Sequence, residues 1–318
     1  MDDITRVWIF GSAIAIAGLH MPSEWLDGTS INGDCFALSR QEILGYKTWS
    51  LGSTIIPKVN YQYETITYEL LDGVAEICLN RPEIKNAFNL KMWSEFSAAL
   101  DGFSSDNDQK VLVITGAGGA FCSGAELGDM IPGSTTPLSW MRGISDIALK
   151  LHHLHKPCIA KVRGIAAGAG ANLAFGCDLV YASDSARFSE IFVKRGLSVD
   201  FGGSWLLPRM IGLHKAKELA FFGEVISAEK AEQMGLLNRV VADTELDNVV
   251  SEAAKVLANL PPTALSLNKA LLNDSMTRSM AGSLEAESQA QVVNISTEDF
   301  KEAISAFLEK RAPKFTGR

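Results

Sequence analysis

Residues 158–182 read CIAKVRGIAAGAGANLAFGCDLVYA, and this stretch decides the fold class. Cys158 to Val162 is a short apolar run, the signature of a buried strand. Gly164 to Gly170 is a loop of small residues that opens into a helix. Leu179 to Ala182 is apolar again and reads as the next strand. Strand, glycine loop, helix and strand in that order predict an α/β core with a mostly parallel sheet.

The pattern extends outward in both directions. Ile66, Tyr68 and Leu70 alternate as in a half-buried strand, Asp72-Gly73 is a hairpin signal, and Val74 to Leu79 returns. Asn89 caps a helix with apolar residues at Met92, Trp93, Phe96, Ala99, Leu100 and Phe103. Val111 to Thr115 reads as a strand buried on both faces. A helix is expected over about 138–154, stopped by Pro157. From Lys215 the chain reads almost wholly helical, with breaks at Gly235 and Pro261-Pro262. A capping box, Ser296 with Asp299, starts the last helix.

The 318 residues are 47% apolar and 21% charged, an ordinary globular balance. A net charge of −8 argues against a broad nucleic-acid surface. The five cysteines fit neither a disulfide framework nor a zinc site and read as small buried hydrophobes. His152, His153 and His155 lack a matching ligand set, so no metal is expected. Val7 to Leu19 is apolar but too short to span a bilayer. The expected organisation is an extension over 1–60 outside the core, a core over 61–255, and a helical region over 256–318.

Two junctions can carry chemistry. Phe121-Cys122-Ser123-Gly124-Ala125-Glu126-Leu127 and Gly164 through Asn172 both let backbone N–H groups approach a ligand closely. Facing each other, they would make an oxyanion hole for a thioester carbonyl. Gly168-x-Gly170 lacks the third glycine of a dinucleotide site, since Leu173 stands there. Asp200 lies among apolar and small residues just before a helix. It is either a helix cap or a carboxylate in an apolar pocket walled by Phe192, Phe201 and Trp205.

Together these segments resemble the enoyl-CoA hydratase/isomerase, or crotonase, superfamily. The resemblance is carried by Asn80-Arg81-Pro82-Glu83 with Asn86-Ala87-Phe88, by Ser123 to Leu127, and by Gly164 to Asp178. Gly202 to Arg209 and the ending Ala306 to Arg311 complete it. It implies an α/β spiral of ββα units with a C-terminal helical trimerisation region, and a homotrimer or dimer of trimers. It implies Ala125 and Ala169 N–H groups as the oxyanion hole. Ser123, Gly124 and Leu127 fall where the backbone holds coenzyme A, and Phe307 and Lys310 where CoA is touched across a subunit boundary. The two glutamates of typical hydratases fall on Asn172 and Phe192, neither of which is a base. Asn172 either orients substrate or a water, or packs its helix as a satisfied amide.

Glu190, two residues from the second position, reads as a surface or capping acid. An acid appears instead at Asp200, as in dienoyl-CoA isomerases and the ring-1,2-epoxyphenylacetyl-CoA isomerase branch, which this chain resembles more closely. The expected function is therefore an acyl-CoA isomerase with Asp200 as the base, acting on a 3-enoyl-CoA or a ring-epoxide acyl-CoA. The alternatives are an enoyl-CoA hydratase of fatty-acid β-oxidation and a non-catalytic acyl-CoA-binding member. No cofactor beyond the CoA of the substrate, no nucleic-acid or membrane partner, and a cytoplasmic location complete the expectation. Acyl specificity is expected from pocket residues between Met130 and Arg142.

Overall fold

In the computed structural model, residues 63–126, 128 and 136–318 are described, with the backbone of two short strands near the N-terminus. Contacts divide the chain into two compact units, Met1–Tyr61 and Gln62–Arg318. In the first, β1 (Trp8–Phe10) and β2 (Ala13–Ala15) pair antiparallel. The rest of the expected 1–60 extension lies outside the described residues.

The second unit opens with β3 (Ile66–Leu71) and β4 (Val74–Leu79), joined by Asp72 and Gly73 at φ +51° and +80°. Two successive left-handed residues match the twist of a tight hairpin, which is why Asp-Gly stands there. Next come α1 (Leu90–Ser105), β5 (Val111–Gly116), α2 (Pro137–His152), β6 (Cys158–Val162) and β7 (Ile165–Ala167). The chain continues through α3 (Ala169–Phe175), β8 (Leu179–Ser183), β9 (Arg187–Ser189), α4 (Gly203–Ile211) and α5 (Leu213–Phe222). It ends with β10 (Ile226–Ser227), α6 (Ala228–Met234), β11 (Arg239–Val241), α7 (Leu246–Ala258), α8 (Pro262–Ser275), α9 (Met280–Ser296) and α10 (Glu298–Glu309).

The main sheet has the order β11-β8-β6-β5-β4-β3, parallel except for the β3–β4 hairpin. Its central strands are buried on both faces. Leu112 and Ile114 of β5 point into the large core with Met92, Phe96 and Phe103 of α1. Val111 and Val113, one residue out of phase, pack under Leu246, Val250 and Ala254 of α7. Continuous apolar runs rather than alternation follow from this two-sided cover.

Three expectations change. Ile165–Ala167, read as loop, is a strand in a second sheet of order β10-β9-β7. Three residues between glycines give no periodicity to detect. The region after Lys215 also contains β10 and β11, too short for a pattern of their own. Ser296 closes α9, with its Oγ donating to Val293 O, and Thr297 caps α10 by accepting from Phe300 N–H at 3.1 Å. The β-branched neighbour takes the cap one position later.

Candidate active site

Asn86 fixes the first wall of the site. It is fully buried with φ +56°, accepts from Arg81 N–H at 2.9 Å, and donates to the carbonyls of Ala117 (2.9 Å) and Ala120 (2.7 Å). The Ser123–Glu126 segment then runs along the backbone it positions. Ser123 N–H donates to Lys85 O (2.9 Å), Ser123 Oγ to Ile84 O (3.1 Å), Phe88 N–H to Gly124 O (2.8 Å) and Glu126 N–H to Phe88 O (2.8 Å). An Arg81–Glu126 ion pair at 2.7 Å closes this edge.

The other flank of the same segment meets β7. Phe121 and Cys122 N–H groups donate to Ile165 O, and Ala167 N–H to Cys122 O. Gly124 has φ +102°, and a Cβ there would lie 2.9 Å from Ala167 O and 3.7 Å from Ala169 N. The two junctions are therefore adjacent, and glycine is what lets them approach. Neither Ala125 N–H nor Ala169 N–H has a hydrogen-bond acceptor among the described residues. Ala125 sits in an isolated bridge with Phe88. Leu127, which follows, lies outside the described residues, as do 130–135 of the expected specificity stretch.

The acids come from the other side of α3. Asn172 is 0% exposed; its Nδ2 donates to Asp200 O at 2.9 Å and lies 3.4 Å from Glu190 Oε2. Gly203, at the start of α4, packs so tightly on this amide that a Cβ would stand 2.4 Å from Nδ2. Asp200 is half-buried, and burial pushes its carboxyl up from 3.8 to about 6. Asn172 Oδ1, Glu190 Oε1 and Asp200 Oδ1 are all buried without a partner among the described residues. Phe201, at φ +47°, packs on Trp93 (5.5 Å between centroids), which stacks on Phe88 (4.0 Å). This aromatic run links the acid loop to the strand segment beside Ala125.

Glu190 is the correction. It is neither a surface acid nor a side-chain cap: it is 2% exposed and caps no N–H. Burial, with the neighbouring Asp200 charge, pushes it from 4.5 to about 8 against the opposing Asn172 contact. A sequence signal existed in the acid's setting, between buried Phe188 and the apolar Ile191-Phe192-Val193 run. Phe192 and Phe201 are buried near the acids, but Trp205 is 36% exposed and packs on Arg209 and His152 instead.

A family model described as Enoyl-CoA hydratase/isomerase matches residues 69–318. The chain belongs to the enoyl-CoA hydratase/isomerase family. A probable enoyl-CoA hydratase of Rhodobacter capsulatus is 39% identical over 257 residues, covering 80% of this chain and 99% of that protein. The 1,2-epoxyphenylacetyl-CoA isomerase of Escherichia coli is also 39% identical, over 260 residues, with the same coverage. A solved enoyl-CoA hydratase subunit I from Geobacillus kaustophilus superposes with a TM-score of 0.76 at 34% identity, covering 81% of this chain and all of that one. The α/β crotonase fold with its C-terminal helical region is thus this chain's fold, as the resemblance implied.

Other family positions fall as follows. Ser123 is half-buried, Gly124 buried, and both lie on the first wall. Phe307 is 80% exposed on α10, and Lys310 is exposed at its left-handed C-cap, φ +54°. Lys85 is exposed. No metal-ligand cluster of His, Cys, Asp and Glu occurs among the described residues. No described helix is long and apolar enough to cross a membrane.

Proposed function

We propose that this enzyme shifts the double bond of a 3-enoyl-CoA to give the 2-enoyl-CoA, with Asp200 as the base. The ionised carboxylate takes a proton from C2, and the electrons move onto the thioester oxygen as an enolate. Ala125 and Ala169 N–H groups hold that oxygen. Asp200 then returns the proton to C4. Two backbone donors suit this charge, since losing one such donor costs about 3–4 kcal/mol in comparable sites. The step moves protons alone, and coenzyme A enters as part of the substrate. The name of the Escherichia coli relative is a reason to test a ring-epoxide acyl-CoA as well.

The observation that carries this reading is Asp200. It is an acid with a buried, unpartnered oxygen and a carboxyl raised to about 6, so it is ionised at neutral pH yet still basic. Isomerisation needs one such group on one face of the substrate. Exposed Leu272, Met280, Val292, Phe307 and Leu308 on the last three helices, with Met276 just past α8, support a homotrimer or dimer of trimers. In that assembly Phe307 and Lys310 meet the CoA of a neighbouring subunit, with Ser123, Gly124 and Leu127 holding its near end.

One observation favours the second reading, hydration: Glu190 gives the site a second buried acid, and hydration divides its work between two. An ultraviolet assay with a 3-enoyl-CoA and with crotonyl-CoA separates the readings. Conversion of the 3-enoyl-CoA at least tenfold faster than crotonyl-CoA hydration supports isomerisation. The reverse ratio supports hydration, and turnover of neither supports a non-catalytic acyl-CoA-binding protein.

A further inference from the structure

The chemistry proposed above uses one carboxyl, yet a second lies beside it and is more deeply buried. This is Glu190, and the residue before it is held on both sides: Gly168 N–H donates to Ser189 O at 2.8 Å, and Ser189 Oγ donates to Gly223 O at 3.1 Å. The Glu190 carboxyl faces Asn172, whose amide also holds the backbone of Asp200. We propose that Glu190 is a positioning acid that stays protonated through turnover and, through Asn172, leaves Asp200 as the single carboxylate of the site. This rests on the reading of Asp200 as the base.

Charge is the first support. The elements around Glu190 offer it no cation. α3, β7 and β10 carry no charged side chain. On α5, Lys215 pairs with Glu218 at 2.7 Å, while His214 and Lys217 are exposed. Arg209 of α4 lies over the Trp205 ring, and Arg187 of β9 donates to the Asp184 and Ala186 carbonyls. Lys194, Arg195 and Glu224 are exposed. Asp200 is the ionisable group whose charge bears on Glu190, and its sign opposes ionisation. A buried carboxylate without a partner is strongly disfavoured and takes up a proton instead.

Hydrogen bonding is the second support. Asn172 Oδ1, Glu190 Oε1 and Asp200 Oδ1 are three buried acceptors without a donor among the described residues. A proton on Glu190 turns one of these acceptors into a donor. The two carboxyls, at about 8 and about 6, are also pushed apart in the order this division of roles requires.

The consequence is a pH limit. Once Glu190 ionises, a second negative charge opposes the enolate formed beside Asp200. Turnover by the full chain should then fall on both sides of neutrality. The acid limb belongs to Asp200, which must lose its proton, and the alkaline limb to Glu190, which must keep its own.

The test joins infrared spectra with kcat–pH profiles of the wild type, Glu190→Gln and Asp200→Asn. The expected result is a neutral-carboxyl band at pH 7 in the wild type that persists in Asp200→Asn and disappears in Glu190→Gln. In activity, Glu190→Gln loses the alkaline limb and keeps the acid limb. A merely structural role would change the rate without removing one limb. An alkaline limb that survives in Glu190→Gln overturns the proposal, as does the absence of the neutral-carboxyl band from both wild type and Asp200→Asn. Both spectra are independent of Glu190→Gln folding. High activity in Asp200→Asn would instead overturn the base assignment while leaving the spectral result standing.

Discussion

Gly203→Ala is a severe test of the geometry around Asn172. The added Cβ would stand 2.4 Å from Asn172 Nδ2, 2.5 Å from Oδ1 and 2.6 Å from Cγ. The amide cannot step aside, because it is fully buried and bonded to Asp200 O. Forcing a methyl into such a space typically costs about 1–3 kcal/mol. Breaking the Asn172–Asp200 contact leaves buried polar groups unpaired, for about 1–3 kcal/mol more. At roughly 2–4 °C per kcal/mol for a domain of this size, the melting temperature should fall by about 4–24 °C. Displacement of Asn172 should also lower turnover of the 3-enoyl-CoA. Gly143→Ala is the control. It lies on the exposed face of α2 with nothing within 4 Å of its Cβ, and should gain up to about 1 kcal/mol. The assay is thermal melting by circular dichroism of the full chain, paired with initial rates. A Gly203→Ala protein melting within about 2 °C of wild type at full activity would refute the tight contact.

Other outcomes follow from the same geometry. Glu190 is near 4.5 unfolded and about 8 folded, so the folded state holds the extra proton between those values. The stability tied to it is present below about 4.5 and lost as pH rises towards 8. Glu190→Gln should therefore gain on wild type with rising pH, by at most about 4 kcal/mol at pH 8. Urea unfolding at pH 5 and pH 8 checks this, and an equal difference at both contradicts it. Asn86→Ala removes three hydrogen bonds and a residue tolerant of φ +56°, and should cost about 3–5 kcal/mol in denaturant unfolding. Asp299 accepts from Thr316 N–H (2.7 Å) and Gly317 N–H (2.9 Å). Asp299→Ala should release the tail and speed tryptic cleavage after Lys314, while an unchanged cleavage rate would contradict the clasp.

What was legible in the sequence follows from how far each signal is local. The β3–β4 hairpin announces itself because Asp72-Gly73 has a backbone requirement few other residues meet. Helix α1 does so because its six core residues recur at helical spacing under an Asn89 cap that accepts from Met92 N–H at 2.8 Å. The residues alone show two junctions that could face each other, and it is the family resemblance that pairs Ala125 with Ala169; the approach of Gly124 to Ala169 is a product of β7 pairing beside Cys122, which three small residues cannot advertise. Glu190 was misread because burial of an acid depends on what α3 and α5 bring over it. Trp205 was misplaced for the converse reason: an aromatic beside a pocket motif can turn outward when the helix phase does.

The most direct measurement is the rate of 3-enoyl-CoA isomerisation by Asp200→Asn, alongside acyl-CoA affinity by titration calorimetry. Removing a base that handles both proton transfers should cut kcat by about 100- to 10,000-fold. Affinity should stay within about twofold, since the proposed CoA contacts lie on other residues. A variant that keeps more than about half of the wild-type rate would contradict proton transfer by the carboxylate at this position.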